Sequence, residues 1–251
     1  MKSIARVSAP LAAAAVALIL LPGTAVAAES TPVIRAGTAT AAAYSGKIQA
    51  LSFGEVYFSG NAPFIGLVDT TCQYAQLRGG VNSDGTGGYV NYVQIDNNGS
   101  GGACPNNQGG TTTITTVNTN GSGTIYYDDD HLNNRDTFLK LPGNQPGVKI
   151  KAVIEMPAVT TEPQTCYYGL TADTPTLEID LYNPDNPNRP DPSLAQAQGS
   201  AQGQQFYLMP TETNDVYCPE AAAAFANVVV KGESVPNSGT YDQKLYATKA
   251  P

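Results

Sequence analysis

Two stretches of this chain carry the same landmarks in the same order. Thr71-Cys72 opens a β-rich segment, Gln94-Ile95-Asp96 ends another, an Asn/Gly-rich loop leads to Cys104-Pro105, and Ser122-Gly123-Thr124 turns into Tyr126. Thr165-Cys166, Glu178-Ile179-Asp180, an Asn/Pro-rich loop, Cys218-Pro219, and Ser238-Gly239-Thr240 before Tyr241 repeat the series. Repetition on this scale points to a tandem of two related modules, residues 44–141 and 142–251. Four cysteines allow three pairings, and the repeat selects Cys72 with Cys104 and Cys166 with Cys218, one bridge inside each module.

The first 28 residues read as an export signal. Lys2 and Arg6 form a basic start, Leu11 to Leu21 an apolar run, and Ala25-Val26-Ala27 a small-residue cleavage site. Its alanine-rich centre resembles bacterial signals and is too short to span a bilayer. An even cysteine count behind such a signal fits a secreted, extracellular, disulfide-bonded protein. Removing Lys2 and Arg6 leaves 11 of the 13 basic residues against 21 acidic ones, a net charge of about −10. The acidity, with the remaining basic residues scattered along the chain, disfavours nucleic acid and docking by charge alone to anionic membrane or wall polymer.

Residues 29–43 are small, Thr/Ala-rich and nearly uncharged, and read as an extended lead segment with no place in the core. Beyond them, short alternating runs predict strands: 47–53, 55–58, 64–68, 72–77, 89–95, 111–117 and 124–127, then 148–156, 166–170, 176–182, 205–209, 226–230 and 241–247. The Asn/Gly stretch 118–123 reads as a hairpin loop, and 136–145, with Pro142-Gly143, as the link between modules. Cys218-Pro219-Glu220 signals one short helix over 220–225. Regular strands with turn signals predict an all-β protein of two tandem immunoglobulin-like β-sandwich modules. No Trp is available to pack on a disulfide as in true immunoglobulin domains.

Candidate chemistry is sparse. Alternation puts Glu178 and Asp180 on one strand face, and Glu178-Ile179-Asp180 resembles the core of the Glu-Ile-Asp motif of jelly-roll β-glucanases. That resemblance implies a nucleophile at Glu178, a supporting Asp180 and a second Glu as general acid, but Tyr182 or Asn183 stands in its place. The matching point of the other module is Gln94, which separates pattern from chemistry. Asp128-Asp129-Asp130-His131 with Asn133, Asn134 and Asp136 is oxygen-rich enough for a cation, yet matches no defined metal loop. His131 is the only histidine, no Gly-x-Ser-x-Gly elbow exists, and Gly85-Thr86-Gly87-Gly88 precedes a strand, so neither His-based catalysis nor a phosphate cradle is indicated.

The expectation is therefore a secreted, non-enzymatic binding or structural protein, without cofactor or metal, acting through protein contacts in a surface layer, matrix or extracellular complex. The lead segment Thr31 to Tyr44 is the candidate strand for docking on an extracellular protein partner. A carbohydrate or cell-wall binder using Tyr and Asn side chains is the first alternative, and a glycan hydrolase around Glu178 and Asp180 the second. The fourteen tyrosines suit a recognition surface without locating one.

Overall fold

A computed structural model describes residues 28–172 and 174–251, so all but the last residue of the expected export signal lies outside the described residues. From Gly46 onward the chain runs up and down four times. The first excursion is β3 (Gly46–Ser52), β4 (Val56–Ala62), β5 (Gly66–Cys72) and β6 (Tyr74–Val81). The second is β7 (Gly88–Asp96), β8 (Cys104–Pro105), β9 (Thr111–Thr119) and β10 (Gly121–Asp128). The third is β11 (Thr137–Leu141), β12 (Gln145–Ile154), β13 (Gln164–Leu170) and β14 (Leu177–Tyr182). The fourth is two unbroken strands, β15 (Ala197–Leu208) and β16 (Ala221–Glu233). Before them come β1 (Glu29–Ser30) and β2 (Pro32–Ala36), and after them β17 (Tyr241–Lys249).

Antiparallel pairing closes the lower legs into an eight-stranded up-and-down barrel. Its circuit is β3, β6, β7, β10, β11, β14, β15, β16 and back to β3. The upper legs form a second circuit, β4, β5, β8, β9, β12, β13, β15 and β16. Between β5 and β8 that circuit rests on one bridge, Thr70 to Asn106, and on the Cys72–Cys104 disulfide. Strands β15 and β16 are long enough to serve both circuits: Val228 to Gly232 pair with β3, and Ala223 to Phe225 with β4. β15 absorbs the change through a bulge at Gly203, whose φ of 71° suits glycine.

Pleating sends apolar residues inward. Ile48, Val81, Ile125, Leu181 and Val230, from strands all round the lower circuit, face one interior, where Ile34 of β2 and Leu245 of β17 plug the lower end. Ile150, Ala152 and Ile154 of β12, alternating as the sequence predicts, line the upper interior with Val68, Tyr168 and Phe206.

This architecture corrects five expectations. In place of two sandwiches divided at 141/142, one closed circuit crosses that point, since β9 pairs with β12 and β16 with β3 and β4. Both cysteine pairings stand, Cys72 with Cys104 and Cys166 with Cys218. The hairpin expected at 118–123 is a step within one descending leg, because β9 pairs in the upper circuit and β10 in the lower. The supposed link 136–145 contains β11, paired with β10 and β14. Residues 220–225 are not helical: Ala221 to Phe225 pair with β15, a long ladder that outweighs a one-turn helix signal.

The lead segment is also built in. β1 pairs with β10 and β2 with β17, Ile34 is 5% exposed and Tyr44 is buried with its hydroxyl accepting from the Glu233 amide. β17 takes one edge of β2, and on the other Ile34 and Ala36 bond to Ser83, Ala42 and Tyr44, so the segment Thr31 to Tyr44 has little free ladder with which to dock by strand addition. Ile34→Ala is expected to cost about 3 kcal/mol, because it empties the plug of the lower end. Thermal unfolding should show this as a drop of roughly 6–12 °C for a domain of this size. A shift below about 2 °C would mean the plug is not part of the folded core.

Candidate functional site

Glu178 and Asp180 do share one face of β14, opposite Lys140 and Phe138 of β11. The residue that organises them is Arg135, which sequence reasoning missed. It is 3% exposed, and its Nε donates to Asp128 at 2.6 Å and its Nη1 to Asp180 at 2.7 Å. Both terminal nitrogens reach Glu178 Oε2 at 3.3 Å, and the guanidinium lies 4.0 Å from the Phe138 ring centroid. Burial works against the charge of Arg135, but the bonds from Asp128 and Asp180 hold its pKa above the ordinary guanidinium value. Asp180 also accepts from Asn133 at 3.2 Å.

Arg135 thus ties Asp128 at the end of β10 to Glu178 and Asp180 on β14. Tyr182, at the position where the glucanase motif would put its acid, is buried and its hydroxyl donates to the Asn133 carbonyl. Asn183 brackets Ala247 through its side-chain amide. The matched triplet Gln94-Ile95-Asp96 lies at the top of an ascending strand, where Asp96 accepts from the amides of Asn98, Gly99 and Gly101 and so holds the 97–103 loop. Burial pushes the Asp96 carboxyl up, but Gln94 and those amides together bring it below the usual range.

The acidic stretch 128–136 is dispersed among separate donors. Asp129 meets Lys249 and Ser30, Asp130 takes the Ala28 amide, and Asp136 takes the Asn183 amide and the Asn186 side chain. His131 is exposed, with Nδ1 3.1 Å from the Arg135 carbonyl oxygen. Among the described residues no cluster of three His, Cys, Asp or Glu side chains has the arrangement of a metal site. The barrel interior offers two apolar cavities of about 60 Å³ each. Each is well below the ~150 Å³ of a dry cavity that admits benzene.

The upper end is different. Its connections, residues 62–66, 106–110, 155–163 and 209–220, contain Glu155, Glu162, Glu212, Asp215 and Glu220 and no Lys or Arg. Large apolar side chains project there: Phe64 is 94% exposed, Val216 66%, Leu67 52% and Val159 39%. Phe64 occupies the third place of a turn in which the Ile65 amide meets the Ala62 oxygen at 3.3 Å, with a φ of 64°. Glycine is the usual residue there, since a side chain in the left-handed region costs about 1–2 kcal/mol. A bulky aromatic in a strained position, buried against nothing, is the outlier of this molecule. Pro63 and Gly66 mark the turn in the sequence, although the strand predicted over 64–68 begins only at Gly66.

Comparison of the chain with known protein families, with curated proteins and with solved structures finds no match in any of the three.

Proposed function

We propose that this is a non-catalytic binding protein of the extracellular space that docks its upper end on a protein partner. The observation that carries the reading is Phe64, held in a strained turn and almost wholly exposed among further apolar tips. Aromatic anchors that enter a partner's pocket dominate the energetics of interfaces. Glu212 is ion-paired with Lys149, but the other carboxylates of these connections have no cation partner among the described residues, and their charge favours a socket rimmed by Lys or Arg over an anionic bilayer. Two disulfides and an export-type leader support an extracellular setting, and no helix of the described residues is long and apolar enough to cross a membrane.

Phe64→Gly separates the anchor from the fold. It relieves the positive φ and is expected to leave stability unchanged or raise it by up to about 1 kcal/mol, while weakening partner binding at least tenfold. Wild type and variant are immobilised in parallel, exposed to culture medium of the producing cells, and the retained protein is then titrated against both. Equal affinity for both rejects the upper end as the docking surface. A glycan-hydrolysing activity that Glu178→Gln abolishes would reject the non-catalytic reading.

A further inference from the structure

The basic residues that look scattered in the sequence are gathered by the fold. On the outer side of the lower circuit, register aligns Tyr92 of β7, Arg78 of β6, Gln49 of β3, Lys231 of β16 and Lys244 of β17 in one cross-strand row. Five strands at ~4.8 Å spacing make this row about 19 Å long. The next row adds Tyr89, Gly80 and Lys47.

Tyr89 and Tyr92 are three residues apart and would fall on opposite faces of an unbroken strand. A bulge between them turns both outward, and they are 44% and 39% exposed. A Cβ at Gly80 would stand 2.7 Å from the Tyr89 ring, so glycine here lets the ring lie against the sheet, while at Gly79 a Cβ would meet the Tyr89 backbone carbonyl oxygen at 1.8 Å. The Arg78 guanidinium lies 5.0 Å from the Tyr92 ring centroid and 5.6 Å from that of Tyr241. It bonds Gln76 at 3.2 Å, and its Nε is buried without a hydrogen-bond partner.

Lys47, Lys231 and Lys244 form no salt bridge among the described residues. The nearby carboxylates are oriented by backbone amides, Glu233 by those of Asn237 and Gly239 and Asp242 by that of Ser234, and Asp242 also feels the charge of Lys231. The result is a row of four cations, Lys244 exposed and Arg78, Lys47 and Lys231 part-exposed, beside two exposed phenol rings on a protein that is acidic overall.

We propose that this face binds an acidic polysaccharide, a chain of uronate-type sugars laid across the strands. Sugar carboxylates would meet Arg78, Lys47, Lys231 and Lys244, and ring faces would stack on Tyr89 and Tyr92. A peptide is the weaker fit, because β6, β3 and β16, the central strands of this face, are paired on both sides and leave no free edge along the row of cations.

Titration calorimetry with polygalacturonate fragments, a neutral glucan and poly-glutamate tests this. Polygalacturonate is expected to bind at least tenfold more tightly than either of the others. Lys231→Gln/Lys244→Gln, two surface changes that leave the fold intact, and Tyr92→Ala should each weaken it tenfold or more, whereas Phe64→Gly should bind as wild type. Equal binding of poly-glutamate or of the neutral glucan, no binding of any of the three, or wild-type affinity in both face variants overturns the proposal. None of these outcomes bears on the docking role of Phe64.

Discussion

With all four cysteines replaced by alanine, the protein is expected to lose about 8 kcal/mol of stability and to be largely unfolded at 37 °C. The bridges span sequence separations of 32 and 52 residues. On the chain-entropy account each restricts the unfolded chain by about 4 kcal/mol. A natural domain holds only about 5–15 kcal/mol in total, so losing both consumes most of the margin. The two pairs should fail differently. Cys72–Cys104 fastens β5 to β8 where the upper circuit is held by a single bridge, and removing it alone should open β4, β5, β8 and β9 to hydrogen exchange before the lower circuit. Cys166–Cys218 fastens the 209–220 connection to β13, so its loss should loosen that connection first. Urea denaturation of the quadruple variant decides the magnitude, and a loss under about 3 kcal/mol would contradict it.

Arg135→Ala is the second large effect. Asp128 is wholly buried and Asp180 nearly so, and removing the guanidinium leaves both carboxylates without their cation. Breaking a buried pair from one side costs about 3–5 kcal/mol. For a chain of this size that is a fall of roughly 6–20 °C in Tm. Adding Asp128→Asn to Arg135→Ala should recover part of the loss, since the stranded charge is then gone. Glu178→Gln should shift stability by under about 1 kcal/mol, because the Glu178 side chain is 40% exposed and water screens it. A loss as large in Glu178→Gln as in Arg135→Ala would remove the argument from burial.

What was legible in the sequence follows the range over which each signal acts. Alternation is local, and the strand over 148–156 was visible because Ile150, Ala152 and Ile154 share one face. The disulfides were visible because Thr-Cys and Cys-Pro recur. Closure was not, because the pairing of β16 with β3 joins residues far apart in the chain and leaves no local mark. The repeat itself misled: Thr71-Cys72 ends β5 while Thr165-Cys166 begins β13, and Gln94 to Asp96 climb where Glu178 to Asp180 descend. Arg135 was hidden for the same reason as closure, its partners Glu178 and Asp180 being brought by a strand 43 and 45 residues away. The cationic track needed register across five strands, which no window along the chain displays.

Because β15 and β16 belong to both circuits, no cut in the chain divides the molecule into self-sufficient halves. Residues 28–141 and 142–251 made as separate chains would each be an open half-ring with unpaired strand edges on both sides, which is the geometry that recruits other chains into aggregates. Closure therefore also guards the molecule against its own strands: around the lower ring most of them are paired on both sides and have no vacancy for a stranger, so the ring holds or is lost as one body.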